Sequence, residues 1–196
     1  MEGPVMDYFN LKVISQGNKK FSDVTKDIFD YIRGYHPKLE RLSIAALENN
    51  TLSTYHSVEV SETNDSHLEF KEVTLKPNTS IWQVIESKSI RTIDDINAIY
   101  QTEQTKRLIQ AGFLSSMAVP IVYRENVVGV IFFNAKEIGY FSEKRRQKDF
   151  IYLAQAISSR YIQVIDRRSN FNKLLQVALK IGHHRDPETS QHLIRM

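Results

Sequence analysis

Ser115-Ser116-Met117-Ala118-Val119-Pro120-Ile121-Val122, a turn at Arg124-Glu125-Asn126, and then Val127-Val128-Gly129-Val130-Ile131 decide how this chain folds. Each half is a short apolar run rich in β-branched residues and bounded by turn formers, which is how a buried strand reads. The pair predicts two adjacent strands, Met117 to Tyr123 and Val127 to Asn134. Pro120 has no N–H to give to a ladder, so it belongs at an edge or a bulge.

Working back from that pair, Thr102 to Gln110 reads as a polar helix that ends before Gly112, and Ile90 to Ile93 as a brief extended piece followed by Asp94-Asp95. Ile81, Val84 and Ile85 share one face of a short helix capped by Thr79 or Ser80, with Trp82 beside them. Leu39 to Leu47 and Thr51 to Val60 flank Asn49-Asn50, the pattern of an antiparallel hairpin. Ser61 to Ser66 reads as a polar loop, and Leu68 to Leu75 as a third strand or extended segment ended by Pro77. Phe21, Val24, Ile28, Phe29 and Ile32 fall at helical spacing, with Ser22 as the expected cap and Gly34 and Pro37 as the expected stop.

Forward of the pair, Ser142 is the expected cap of a long helix, with Arg145 where a capping box would want an acid. Phe150, Ile157, Val164, Phe171 and Ala178 recur every seven residues, and Leu153, Leu174 and Ile181 occupy a second position. Arg160 and Arg167 interrupt that second set. The repeat predicts a helix that packs on its own domain first and then, through Val164, Phe171, Leu174 and Leu175, on a second copy in a parallel homodimer spanning residues 150–181.

Composition narrows the chemistry. The chain has 196 residues, 41% hydrophobic and 25% charged, with a net charge of +3. That balance is ordinary for a globular domain and too weakly basic to call for nucleic acid, so no nucleic-acid partner is expected. The clusters Lys144-Arg145-Arg146-Gln147-Lys148 and Arg167-Arg168 read as solvated helix faces. There is no cysteine, which removes disulfides, thiolate metal sites and thioether-linked chromophores. No apolar run reaches the roughly 18 residues of a membrane span, and Met1 to Asn10 lacks a signal-peptide pattern. A cytoplasmic location is expected. His36, His56 and His67 are isolated and read as surface or capping residues rather than ligands.

Helix, hairpin, loop-rich middle, two close strands and long final helix together resemble the GAF domain. The quoted small-residue, apolar, Pro-containing strand and its Gly-containing partner carry the likeness, with Phe141-Ser142-Glu143 as the exit from the sheet. It covers Phe21 to Tyr161. The resemblance implies an α+β fold, a central antiparallel sheet flanked by helices with a long C-terminal helix. It also implies a pocket for a small-molecule ligand, of unknown identity, under the segment Leu75 to Phe113. Trp82, Ile85, Tyr100, Leu108 and Phe113 are the expected pocket residues.

The tail, His183-His184-Arg185-Asp186-Pro187-Glu188-Thr189-Ser190-Gln191-His192-Leu193-Ile194-Arg195, resembles the opening motif of HD-GYP phosphodiesterases, Arg-Asp-x-Glu-Thr-Gly-x-His-x-x-Arg. Ser190 departs from it, standing where the motif has Gly. Asp186 suits an N-cap and Pro187 the first helical position, so Glu188 and His192 project from one helix face. By the resemblance these two are metal ligands of an enzyme whose divalent metals, Fe or Mn, activate water and neutralise phosphate charge during hydrolysis of cyclic di-GMP. Two ligands do not build such a centre. The 196 residues are therefore expected to hold no catalytic residue and no cofactor of their own, and the missing domain to carry the activity. The implied organisation is an N-terminal extension (1–20), a sensory domain (21–161), a connecting helix (162–182) and the start of an HD-GYP domain (183–196).

Overall fold

The computed structural model describes residues 6–15, 19–60, 72–99 and 102–185. Its elements run α1 (Tyr8–Ser15), α2 (Phe21–Tyr35), β1 (Leu39–Glu48), β2 (Thr51–Glu59), β3 (Val73–Thr74), α3 (Ser80–Ser87), β4 (Arg91–Ile93), α4 (Glu103–Gln110), β5 (Ser115–Tyr123), β6 (Asn126–Ala135) and α5 (Lys144–Arg185). Among the described residues, six strands form one sheet in the order β3-β2-β1-β6-β5-β4, and every neighbouring pair is antiparallel. The α+β class expected from the sequence is the class observed.

Both hairpins form where the turn residues placed them. Asn49 and Asn50 have φ of 48° and 60°, and Arg124 and Glu125 have 46° and 66°. Positive φ at both central residues lets a two-residue turn follow the right-handed twist of its strands. Asn126 is already the first residue of β6 rather than part of the turn. Pro120 sits where predicted. β4 begins opposite Ala118 and runs back toward Ser116, so on that side β5 is an edge by the time it reaches Pro120, and a register shift follows between Ile121 and Val122. β2 carries its own bulge. Ile44 pairs with His56 and Ala45 with Thr54, leaving Tyr55 as the extra residue.

The register assigns side chains to faces. Leu42, Ile44, Met117, Val119, Ile131 and Phe133 share one face and are all buried. Phe150 of α5 lies 4.9 Å from the Phe133 ring on this face and 5.1 Å from His36 at the end of α2. The opposite face carries Ala45, Ala118, Val130 and Phe132, covered by Leu75 and by Val84 of α3.

Several local expectations give way. α2 begins at Phe21 with Lys20 as its N-cap and no side-chain cap bond, so Ser22 is already inside the helix. Gly34 does not stop α2, which closes at His36, whose N–H reaches Ile32 O. α5 begins at Lys144, one residue too late for Ser142 to cap it. Ser142 instead closes a turn onto Gly139 O at 3.0 Å. The expected N-terminal extension contains α1, whose Leu11 is buried together with the preceding Met6. Tyr31 of α2 donates to Asp7 O at 2.7 Å. A 3-10 turn at Ile96–Ala98, capped by Asp95, has no signal that the sequence pattern revealed. Of the third strand only Val73–Thr74 is seen, the segment 61–71 lying outside the described residues.

The chain divides after Ser158 into two units, the second being the remainder of α5 and the tail. In the first, α5 buries Phe150, Leu153, Ala154 and Ile157. In the second, Arg160 and Tyr161 are buried, Val164 is half-buried, and every residue from 167 to 178 is exposed. Arg160 was expected on an open seam. It is instead 7% exposed, with its Nη1 donating to Gln163 Oε1 at 3.1 Å. Among the described residues no helix is long and apolar enough to cross a membrane.

Candidate functional site

The sheet face under α3 is the one whose chemistry is not explained by packing alone. Its rows, read across the strands, are Arg91-Ala118-Phe132-Ser43 and Ile93-Ser116-Asn134-Arg41-Glu59. In the second row Arg41 is 2% exposed and Asn134 1%. Arg41 Nε donates to Glu59 Oε1 at 2.5 Å, and its Nη1 lies 3.4 Å from Asn134 Oδ1. Asn134 Nδ2 in turn donates to Ser116 Oγ at 3.1 Å. A buried guanidinium needs such a partner set, because an unpaired charge at this depth would cost several kcal/mol. In the first row the buried Ser43 Oγ has no hydrogen-bond partner among the described residues.

Local structure positions the walls. Thr79 Oγ1 accepts from Trp82 N at 3.3 Å and starts α3 so that Val84, Ile81, Trp82 and Ile85 fall on the apolar cluster above Ala118 and Phe132. Thr102 and Thr105 form a reciprocal capping box that starts α4. Gly112, at φ 80°, ends it, with Phe113 N donating to Leu108 O at 2.9 Å. That turn delivers Phe113 into a second cluster with Ile93 and Ile96, against which Leu108 packs.

The expected pocket residues are thus distributed. Trp82 and Ile85 belong to the cluster under α3, and Leu108 and Phe113 to the one beside α4. Tyr100 lies outside the described residues, as do Glu188 and His192. Among the described residues no three His, Asp or Glu side chains gather as a metal site would require. The polar row between the clusters was missed. Its signal was present: Arg41 and Asn134 are hydrophilic positions inside otherwise apolar strands, and Glu59 stands opposite Arg41 once the hairpin register is known.

Of the isolated histidines, His36 does cap α2, and its Nε2 lies 2.9 Å from Asp149 Oδ2. Burial lowers its pKa, and the Asp149 carboxylate offsets this only in part. His56 is half-buried against Phe21, its pKa also lowered by burial, with Nε2 unpartnered among the described residues. His67 lies outside the described residues.

Known structures decide what the architecture is. The A. aeolicus nlh2 GAF domain in an inactive state aligns over 82% of this chain and 94% of its own, with a TM-score of 0.54 and 21% identity. The chain has a GAF-like fold. The GAF domain of the Acinetobacter phosphoenolpyruvate-protein phosphotransferase aligns with it over 81% of this chain and 92% of its own, at TM-score 0.58 and 13% identity. A type II free methionine-R-sulfoxide reductase from Thermoplasma acidophilum shares the GAF-like architecture too, over 76% and 95%, at TM-score 0.52 and 17% identity. No protein-family model matches the sequence, and no curated protein does. At these identities the likeness speaks for the fold, and function rests on this chain's own residues.

Proposed function

We propose that this chain is the regulatory module of a signalling protein. Its GAF-like domain takes a small ligand or partner on the sheet face under α3 and α4, and α5 passes the change, as a parallel helical dimer, to an HD-GYP cyclic di-GMP phosphodiesterase domain. The observation that carries the reading is α5 itself. It is one helix of 42 residues, and within seven of them Phe171, Leu174, Leu175 and Val177 are 65%, 69%, 48% and 53% exposed. Apolar side chains so dense on a helix call for a partner. Phe171 and Ala178 keep the heptad spacing of the buried Phe150 and Ile157, Leu174 keeps that of the buried Leu153, and an identical parallel helix presents the same positions to meet them. Arg167, which is exposed, interrupts this stretch of the seam.

Beyond Arg185 the resemblance of the tail to the HD-GYP opening supports the downstream half. Glu188 and His192 would there supply two of the ligands to Fe or Mn, and the metals would supply Lewis acidity toward the phosphodiester. Sedimentation of the chain and of its Phe171→Glu/Leu174→Glu variant tests the dimer. The parent should sediment as a dimer and the variant as a monomer, with unfolding of the domain shifted by no more than about 0.5 kcal/mol. A monomeric parent would sink the signalling helix. Cyclic di-GMP hydrolysis with Mn²⁺ by the whole gene product, but not by these 196 residues, tests the enzyme half. Turnover by the chain alone would contradict it.

A second reading keeps the dimer and drops the ligand. The cluster of Ala45, Leu52, Leu75, Val84, Ala118, Val130 and Phe132 favours it, since these side chains pack against one another as a hydrophobic core under α3. A thermal-shift screen with nucleotides and metabolites that yields no response would select it.

A further inference from the structure

Arg91 is the one arginine of the sheet described without an opposing carboxylate. It opens β4, pairs across the ladder with Ala118, and so points to the same face as the apolar cluster under α3. Its Nη1 donates to Ser80 Oγ at 2.5 Å, which ties it to the first turn of α3. Its Nε is sealed from solvent and has no acceptor among the described residues. A buried N–H left in this condition costs about 1–3 kcal/mol, and any acceptor that reaches it recovers that energy. Arg41, one row away, shows the contrast: it is more deeply buried, and its Nε is met by Glu59.

With Nη1 committed to Ser80, the edge of the guanidinium left to serve is the Nε–H and Nη2–H pair. Two parallel donors of that kind match the two oxygens of a carboxylate. The start of α3 adds the positive end of a helix dipole beside them. The neighbouring wall is apolar, made by Ala118 and by Ile81 and Trp82 of α3, so a ligand with a carbon body is favoured over an inorganic anion. We propose that Arg91 is the anion-recognition residue of the ligand face and that the ligand class is a small organic carboxylate. This rests on the sensor reading above and narrows it. Burial brings the guanidinium pKa down to about 10, which leaves it charged at neutral pH. Pairing at Arg91 would be felt at once by α3 through Ser80.

Calorimetric titration and thermal shift test this with succinate, glutarate and benzoate, their neutral amides, inorganic phosphate, and a set of uncharged metabolites. At least one acid should bind and raise the melting temperature, while its amide and phosphate do not. Arg91→Met should weaken that binding at least ~10-fold, and Arg91→Lys, which keeps the charge but loses the fork, should weaken it similarly. The lysine variant also serves if the methionine variant does not fold. Undiminished binding to both variants, or amides binding as well as acids, overturns the carboxylate assignment. An uncharged metabolite that alone binds does so too, yet leaves the sensor reading standing. No response to any compound overturns both.

Discussion

Leu42, Ile44, Met117, Val119, Ile131 and Phe133 line one face of the sheet and are apolar throughout, whereas Arg41, Ser43, Ser116 and Asn134 are just as buried on the other. The first face does one job. It receives α2 and α5, and aromatic packing of Phe150 with Phe133, Phe141 and His36 fixes the root of α5. The second face carries the linked row of Arg41, Glu59, Asn134 and Ser116, which a purely structural layer would not need, and the charged Arg91; buried polar atoms without a partner among the described residues occur on both faces, Ser43 Oγ and Arg91 Nε on this one and Ser115 Oγ and His56 Nε2 on the other. One face therefore reads as a scaffold, and the other is where the ligand proposed above would be met. Departures from local consistency concentrate at sites of function.

Three measurements break or sharpen that contrast. The largest effect belongs to the scaffold. Phe150→Ala removes a fully buried ring and should cost about 3–5 kcal/mol in urea unfolding. A loss under about 1 kcal/mol would mean that α5 is not anchored as described. Next, Glu59→Ala removes the carboxylate that accepts from Arg41 Nε. It should cost about 3 kcal/mol, while the double variant Arg41→Met/Glu59→Ala should recover much of the loss because the buried guanidinium is then gone. If the double variant is no more stable than the single one, the row is structural in some other way.

The smallest effect is in pH. His36 and His56 both have pKa values lowered from 6.5 by burial on the scaffold side. The unfolded chain takes up protons near 6.5 that the folded state resists, so the stability these rings contribute is present above that value. It is lost as pH falls below it, toward the lowered folded values. The melting temperature should drop between pH 7 and pH 5, and His56→Phe should flatten part of the slope. A melting temperature that rises on acidification would show that neither ring is held neutral.

Much of the fold was legible because its signals are local. Asn49-Asn50 and Arg124-Glu125-Asn126 mark the hairpins, Thr79 and Thr102 start α3 and α4, and Gly112 ends α4. What was not legible depends on partners far along the chain. Gly34 reads as a stop, but α2 runs one residue past it to Tyr35, and the cap at His36 is held by distant residues, Phe150 and Asp149, against about 1 kcal/mol of glycine propensity. α1 has eight residues and a weak apolar pattern, so only its docking defines it. The first position of the seven-residue repeat is apolar from Phe150 to Ala178, but a repeat does not say where the burial of its members ends. Of the candidate site, Trp82, Ile85, Leu108 and Phe113 were named from the resemblance and lie in the two apolar clusters beside the polar row, but that row needs the cross-strand register to emerge.

Asp149 sits near the root of α5 and spends its two oxygens on different parts of the chain: Oδ1 accepts from Tyr8 of α1 at 2.5 Å, and Oδ2 faces His36 at 2.9 Å. Burial and this bond push the Tyr8 phenol up to about 12, so it stays a donor across the physiological range. Shortening the protein to begin at Phe21, which the sequence alone would invite, would thus do more than tidy its front end. It would unfasten one of the two side chains that hold Asp149 near the start of α5.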